Sequence, residues 1–247
     1  MIKFFRIIRQ QLLSDNKVSK YLLYALGEIV LVIIGILLAL QINDWSTNQQ
    51  HKKEEKRILQ SIKTDVTNDT LQLSKNIANA KNRIAQIDTV YIALNHPEQF
   101  SSGQFLQYAY ALASSQQFNV NSGTFDESLS SGFLKYIEND QLRQNIFEYY
   151  RKAKIQSIDK YAVQQNYDVV FPVMFKKLST TKDFFEGFIR QPTQFKPIDI
   201  KSLSTDIEFV AAVNQRFASE KTQISYWGGF LKTSKQLIRE IDEELNK

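Results

Sequence analysis

The feature that most constrains this chain is the run of residues 21–42, which is apolar along its length and carries one charge, Glu28. About 20 apolar residues let a helix cross the ~30 Å hydrocarbon layer of a membrane. A cleaved signal peptide has a shorter apolar region and a small-x-small cleavage site, which residues 38–41 lack. A buried core helix is rarely apolar on every side over such a length. We therefore predict a transmembrane helix over residues 21–43.

The basic residues beside this run predict its orientation. Lys and Arg flanking a membrane helix are kept on the cytoplasmic side. The first twenty residues contain five of them, whereas residues 44–51 contain none. We expect a cytoplasmic N-terminus and a C-terminal domain outside the cytoplasm. Tyr21, Tyr24 and Trp45 at the ends of the run suit the aromatic belts of the two membrane interfaces.

The basic N-terminal arm, residues 1–20, has the pattern of an amphipathic helix over residues 2–13. Such helices rest on membrane surfaces and are attracted to anionic lipids. We predict contacts with the lipid surface for the basic face of the arm; the alternative, that its charges only orient the anchor, stays open. The apolar face comprises Phe4, Phe5, Ile8 and Leu12, and the basic face comprises Lys3, Arg6 and Arg9.

Residues within the membrane run suggest that it packs against another helix. Gly27, Leu31, Gly35 and Ala39 recur at four-residue spacing, and Gly35 and Ala39 form a small-x-x-x-small pair of the kind that lets membrane helices approach closely. Glu28 is an ionisable group in the same run, which by default indicates function; nearness to the aqueous interface is the alternative explanation. We predict a packing face for a partner helix or a second copy.

Two parts of the sequence resemble a known family. They are residues 1–45, beginning Met-Ile-Lys-Phe-Phe, and residues 120–150, which include Phe125-Asp126-Glu127 and Tyr149-Tyr150. They are similar to a family of uncharacterised single-pass membrane proteins common in flavobacteria and their relatives. The resemblance implies a bacterial inner-membrane setting, and it supplies no catalytic residues. Together with the orientation expected from the flanking charges, this setting predicts a periplasmic C-terminal domain.

The remainder, residues 44–247, is predicted to be all-α. Apolar residues at alternating three- and four-residue spacing predict a helix over residues 43–94 that ends before Pro97, and further long helices over 140–177 and 204–245. We expect an N-terminal transmembrane helix followed by an antiparallel bundle of three or four long helices. In the last helix one series recurs every seven residues: Phe217, Ile224, Leu231, Ile238 and Leu245. We expect Ile207, Val210, Trp227, Ser234 and Ile241 to fill the intermediate positions of this seam. Gly228-Gly229 is expected to kink the helix or to allow close backbone contact.

Residues 98–138 are less regular and are expected to form short distal helices. Ser101 or Ser102 is predicted to cap a helix that ends at Ala113, and Thr124 and Glu127 have the spacing of a capping box before a helix that Gly132 ends. The polar loop of residues 114–121 is either a binding tip or a structural connector, and we favour the connector. Pro172 is expected to kink or end the third long helix, and residues 190–203 to form a loop.

The composition offers little for catalysis. The chain has no cysteine and two histidines, His51 and His96, and it lacks glycine-rich phosphate loops. We predict neither a catalytic residue, nor a metal site, nor a cofactor. Residues 29–247 carry a net charge of only +2, without a basic stripe, so we expect no nucleic-acid partner. The function we expect is that of a membrane-anchored, non-enzymatic interaction or accessory protein; the alternative is a periplasmic ligand sensor that signals through a separate membrane partner.

Overall fold

The computed structural model describes residues 18–155, 157–178 and 197–247, and these residues form helices and no strands. The prediction of an all-α chain is therefore confirmed. Two compact units follow one another, residues 1–55 and Lys56–Lys247. The α-helices are α1 (Val18–Asn95), α2 (Ser102–Ala113), α3 (Gly123–Ser130), α4 (Asp140–Ile155), α5 (Ser157–Gln165), α6 (Phe171–Leu178), α7 (Ile200–Thr205) and α8 (Ile207–Leu245), with 3-10 turns at Pro97–Gln99 and Phe133–Tyr136 and a π-helical turn at Asn166–Val170.

In the first unit, α1 exposes its apolar side chains in every direction. The large hydrophobic residues from Leu22 to Ile42 are between 46% and 79% exposed, and none of the most apolar stretch is buried. Among the described residues, α1 is the helix long and apolar enough to cross a membrane. The predicted helix end is confirmed, because α1 finishes at Asn95, two residues before Pro97.

In the second unit, α1 and α8 run antiparallel. The Tyr91 hydroxyl donates a hydrogen bond to Asn214 Oδ1 at 2.8 Å, and Lys63 Nζ lies 2.5 Å from Asp242 Oδ1. Residue numbers thus rise along α1 as they fall along α8. The bundle is built on long helices whose seam-facing residues are buried, as the alternating spacing predicts.

The third long member is the run α4, α5, the π-helical turn and α6, which also packs antiparallel to α8. Asn145 Nδ2 donates to Glu240 Oε2 at 2.8 Å near one end of this contact, and Trp227 Nε1 donates to Asp159 Oδ2 further along. Pro172 stands in the first turn of α6, directly after the π-helical turn. Helical structure continues past Pro172 rather than ending there, because the wider π-helical turn directly before it accommodates a residue that lacks a backbone N–H.

Two apolar clusters form the core of the second unit, and a polar stretch lies between them. Along α1, Ala80 belongs to one cluster and Ile87 to the other. Along α8, Trp227 belongs to the same cluster as Ala80, and Val213 belongs to the same cluster as Ile87. Arg83 falls within the α1 interval. Buried Arg216, Glu220 and Gln223 fall within the α8 interval.

The seam of α8 differs from the predicted one. Trp227, Ser234 and Ile241 are buried as expected, but the other buried positions carry on the three- and four-residue spacing through residues that the apolar pattern passed over. The predicted series that starts at Phe217 is only partly buried and flanks the seam. Ile207 is 86% exposed, so its placement on the seam was wrong. The helix continues through Gly228 and Gly229, and a Cβ at either would meet no heavy atom within 4 Å.

The short helices follow local signals with two corrections. Ser101 caps α2, as predicted, and it does so in a capping box with Gln104. Gly132, with a φ of +72°, stands just after the end of α3. The predicted capping box at Thr124 is wrong, because α3 already begins at Gly123. The predicted loop over 190–203 is wrong where α7 forms, capped by Asp199, whose side chain accepts from Ser202 N at 3.0 Å; residues 190–196 lie outside the described residues.

Candidate functional site

The predicted membrane packing face lies on α1. Gly27, Leu31, Gly35 and Ala39 are exposed within this chain, and Glu28 is partly buried. A Cβ at Gly27 or Gly35 would meet no heavy atom within 4 Å, so the surface beside both glycines is open. The predicted lipid contacts Lys3, Arg6 and Arg9 lie outside the described residues.

The most distinctive arrangement in the second unit surrounds residues 114–121, which connect α2 and α3 without being helical. Side chains from three long helices bind the backbone of this segment. A loop inside a fold must have its backbone polar groups bound, because leaving each one unsatisfied costs free energy comparable to a lost hydrogen bond. Here side chains meet that requirement where secondary structure does not.

Three carbonyl groups of the segment accept hydrogen bonds from buried side chains. Asn76 Nδ2 donates to Gln117 O at 3.3 Å, and Gln223 Nε2 donates to Gln116 O at 3.0 Å. Arg216 Nη2 donates to Ser114 O. The donors come from α1 and α8, so the segment links the two antiparallel helices.

Three N–H groups of the segment donate to side chains in turn. Phe118 N donates to Asp159 Oδ2 at 3.0 Å, Asn119 N to Gln72 Oε1 at 3.1 Å, and Asn121 N to Asp69 Oδ1 at 2.9 Å. The Phe118 side chain is fully buried against Phe230, with ring centroids 5.5 Å apart. The segment is thus held by both its backbone and its one large apolar side chain.

Glu220 is the centre of a buried ionic group. It accepts from Arg83 Nε at 2.5 Å and Arg83 Nη2 at 3.1 Å, and its Oε1 also accepts from Arg216 Nη2. Arg216 and Glu220 are both fully buried. Burial lowers the pKa of Arg216, while Glu220 opposes that shift. An ionic group of this kind is strongly coupled, since removing the carboxylate leaves a buried cation without its counter-charge.

Asp159 is satisfied by three neutral donors. Trp227 Nε1 lies 2.9 Å from its Oδ2, Gln223 Nε2 lies 3.0 Å from its Oδ1, and the third donor is Phe118 N. The residue is fully buried. With these three donors, Asp159 acts as an acceptor that ties α5, α8 and the 114–121 segment together.

Asp69 plays the same part at the other end of the segment. It accepts from Asn121 N, from Asn121 Nδ2 at 2.6 Å and from the Tyr149 hydroxyl at 2.7 Å, while Ser234 Oγ donates to that hydroxyl oxygen at 3.3 Å. Burial raises the pKa of Asp69 despite these hydrogen bonds. Burial also raises the pKa of Tyr149, so this phenol stays protonated and remains a donor.

The buried polar side chains of this arrangement hold a chain segment in place. The buried carboxylates Asp69, Asp159 and Glu220 are each engaged by donors of the fold. Within the described ranges, no group of three or more His, Asp or Glu side chains could hold a metal ion. His51 and Glu54 lie one helical turn apart in sequence. Among the residues that the structure describes, no third His, Asp or Glu side chain joins them to form a metal site.

Sequence reasoning missed the buried polar residues Asn76, Asp159, Arg216, Glu220 and Gln223. A signal was present on α8. Stepping back by seven from Trp227 gives Glu220, and stepping back by seven from Phe230 gives Gln223 and then Arg216. Polar residues at seam positions are themselves informative, because burying them requires partners.

Comparison with known proteins gives a family and no characterised relative. Neither the curated proteins nor the solved structures contain a match to this chain. Residues 28–185, more than half of the sequence, match the model of one protein family. The matched range contains the α1 packing residues from Glu28 onward, and it contains the 114–121 segment with its partners on α1 and α5. The chain belongs to the family of unknown function DUF6090.

Proposed function

We propose that this chain is a membrane-anchored, non-enzymatic interaction or accessory protein whose C-terminal helical domain lies in the periplasm. The observation that carries the proposal is the exposed apolar surface of α1 between Leu22 and Ile42. Apolar surface in water is unfavourable by about 25 cal/mol per Å². A helix that is apolar on all sides over this length is stabilised when lipid surrounds it.

The direction of insertion is proposed from charge. The five basic residues among the first twenty favour a cytoplasmic N-terminus in the inner membrane of a bacterium. The segment after the membrane run begins with the uncharged or acidic residues 43–50, which are easier to translocate. The second unit then folds on the periplasmic side.

The proposal that the protein is not an enzyme is supported by how its buried polar groups are used. Three buried carboxylates hold backbone, tryptophan, tyrosine or arginine groups of the fold. A general acid or base needs to reach a proton of a substrate, directly or through one water molecule. Asp69 and Asp159 are fully buried, and their bonding capacity is directed inward.

The proposed partner of the anchor is another membrane helix. Gly35 and Ala39 offer a face on which a second helix can approach closely. Leu31 and Glu28 precede Gly35 by four and seven residues, so they lie along the same side. The open surface beside Gly27 and Gly35 leaves room for such contact. The second helix belongs to a copy of this chain or to a different membrane protein.

The proposal is tested by fractionation, protease accessibility and co-purification. We expect the full-length protein to sediment with membranes and resist extraction by carbonate. Protease added from the periplasmic side should degrade residues after Trp45. Mild detergent should release the protein together with a second copy or another polypeptide. Recovery in the aqueous fraction, protection of the C-terminal domain, or a lone monomer after mild solubilisation would each contradict the corresponding part of the proposal.

A further inference from the structure

The second unit carries an open groove of about 650 Å³ beside α8. Its lining includes the large apolar side chains of Ile158 on α5 and of Tyr226 and Phe230 on α8. Gly229 lines it too, and a Cβ at that position would meet no heavy atom within 4 Å. Among the described residues, the groove is therefore lined by large apolar side chains and has open space beside Gly229.

Apolar surface continues beyond the groove. Ile155 and Tyr161 lie three residues to either side of Ile158 in sequence, and they are 56% and 64% exposed. Ile158, which lines the groove, is itself 36% exposed. Several large apolar side chains exposed in one region, next to a groove, are typical of an interaction site on a soluble domain.

The exposed charges on the stretches of α5 and α8 that line the groove are basic. Lys221 lines it, and from there to Arg239 the helix α8 carries only basic charges, at exposed positions. Across the groove, the one acidic residue between Arg151 and Tyr167 is Asp159, which is buried and bound within the fold. An acidic partner is therefore favoured over a basic one.

We propose that this groove binds an acidic amphipathic helix of a partner protein. The inference rests on the proposed function and names the chemistry of one partner. Helices bind grooves by placing apolar side chains at helical spacing into them. Here such side chains fill the space above Gly229 and contact Tyr226 and Phe230, and carboxylates beside them face Lys221.

Full-length protein in nanodiscs of zwitterionic lipid provides the test, with a labelled designed helical peptide as the probe. The peptide carries leucine on one face and glutamate on the other. One control peptide replaces glutamate with lysine, and the second keeps the composition but scrambles the order so that the apolar face is lost. Fluorescence anisotropy should show saturable binding of the acidic peptide, and binding of both controls weaker by about tenfold or more, which is about 1.4 kcal/mol.

Adjacent glycines give a matched pair of variants. Gly229→Leu places a side chain in the groove and should weaken binding at least about tenfold. Gly228→Leu makes the same change at a neighbouring exposed position that does not line the groove and has equally open surroundings, so it should leave binding unchanged. Both substitutions replace glycine inside a helix, which favours helical structure, and circular dichroism melting checks that both variants are folded.

Charge reversal separates the acidic partner from other occupants. Lys221→Glu should weaken the acidic peptide and strengthen the basic one, whereas Lys235→Glu, outside the groove lining, should have a smaller effect. The proposal would be overturned if the acidic peptide did not bind saturably, or if the acidic and basic peptides bound equally. Equal effects of the two glycine variants, or displacement of the peptide by phosphatidylglycerol vesicles, would also overturn it. These outcomes leave membrane retention and co-purification untouched, so failure here is distinguishable from failure of the proposed function.

Discussion

Trp227 Nε1 donates a hydrogen bond to Asp159 Oδ2 at 2.9 Å between two fully buried side chains. The same carboxylate oxygen accepts from Phe118 N in the segment between α2 and α3. One buried acceptor thereby joins α5, α8 and a non-helical segment. This link makes the stability of the helical unit depend on contacts that are distant in sequence.

We expect Asp159→Ala to destabilise the second unit by about 3 kcal/mol or more, because it leaves buried donors of Trp227, Gln223 and Phe118 without their acceptor. Denaturant unfolding followed by tryptophan fluorescence measures the change, in a Trp45→Phe background so that Trp227 is the reporter. Asp168→Ala is the control, since Asp168 lies on the same helical run and is exposed. Equal small losses for both variants would contradict the role assigned to Asp159.

The ionic group around Glu220 gives a second prediction. Glu220→Ala removes the counter-charge of fully buried Arg216 and should cost about 3–5 kcal/mol. Arg216→Leu combined with Glu220→Leu removes both charges, so we expect the double variant to be less destabilised than the sum of the two single Leu variants. Denaturant midpoints for the four proteins of this double-mutant cycle measure the coupling.

The coupling prediction has a built-in comparison. Lys154 and Asp126 also form an ion pair, but both of its side chains are substantially exposed. The equivalent cycle on that pair should give a coupling of only about 0–1 kcal/mol. Strictly additive effects at Arg216 and Glu220 would show that burial does not make their pairing important.

Local signals explain why the helices were predictable. The end of α1 before Pro97 and the start of α2 at Ser101 depend on residues within a few positions of the boundary. Alternating three- and four-residue spacing requires only the sequence of one helix. The antiparallel arrangement follows from long helices that are close to one another in the bundle.

Long-range contacts explain what was missed. Gln223 binds Gln116 O across 107 residues of sequence, and Arg216 binds Ser114 O across 102. Apolar periodicity alone treats these polar residues as gaps in a seam. It therefore favours the series that begins at Phe217, which is only partly buried. Polar seam positions become interpretable only when the backbone that they bind is known. The membrane packing residues and the groove act on partners that this chain does not contain, so their roles stay predictions.

Asp69 predicts a defined pH dependence. Burial raises the pKa of this carboxyl in the folded state. The stability linked to its protonation is therefore fully present below the unfolded pKa, about 3.9, and is lost as pH rises through the folded pKa. Asp69→Asn keeps the size and an acceptor for Asn121 N but does not titrate. The stability of the wild type relative to this variant should fall as pH increases from acid toward neutral.

Denaturant unfolding of both proteins at a series of pH values measures that difference. Other carboxyls titrate in both proteins and cancel in the comparison, apart from the effect of nearby Asp65 on Asp69. Asp65→Asn in both backgrounds tests this remaining contribution. A difference that rises with pH would mean that the hydrogen bonds from Asn121 and Tyr149 outweigh burial, reversing the direction expected for the pKa of Asp69.

The anchor gives the last prediction. Gly35→Leu and Ala39→Leu enlarge two positions on the proposed packing face, where the chain itself leaves open space beside Gly35. Close approach of a second helix depends on small residues, so either change should reduce association in membranes while insertion persists. Energy transfer between labelled copies, together with cross-linking to other membrane proteins, measures association. Leu37→Phe adds bulk at a position on the opposite side of the helix, because residues two apart face different directions. If Leu37→Phe weakens association as much as Gly35→Leu does, the packing face lies elsewhere on α1.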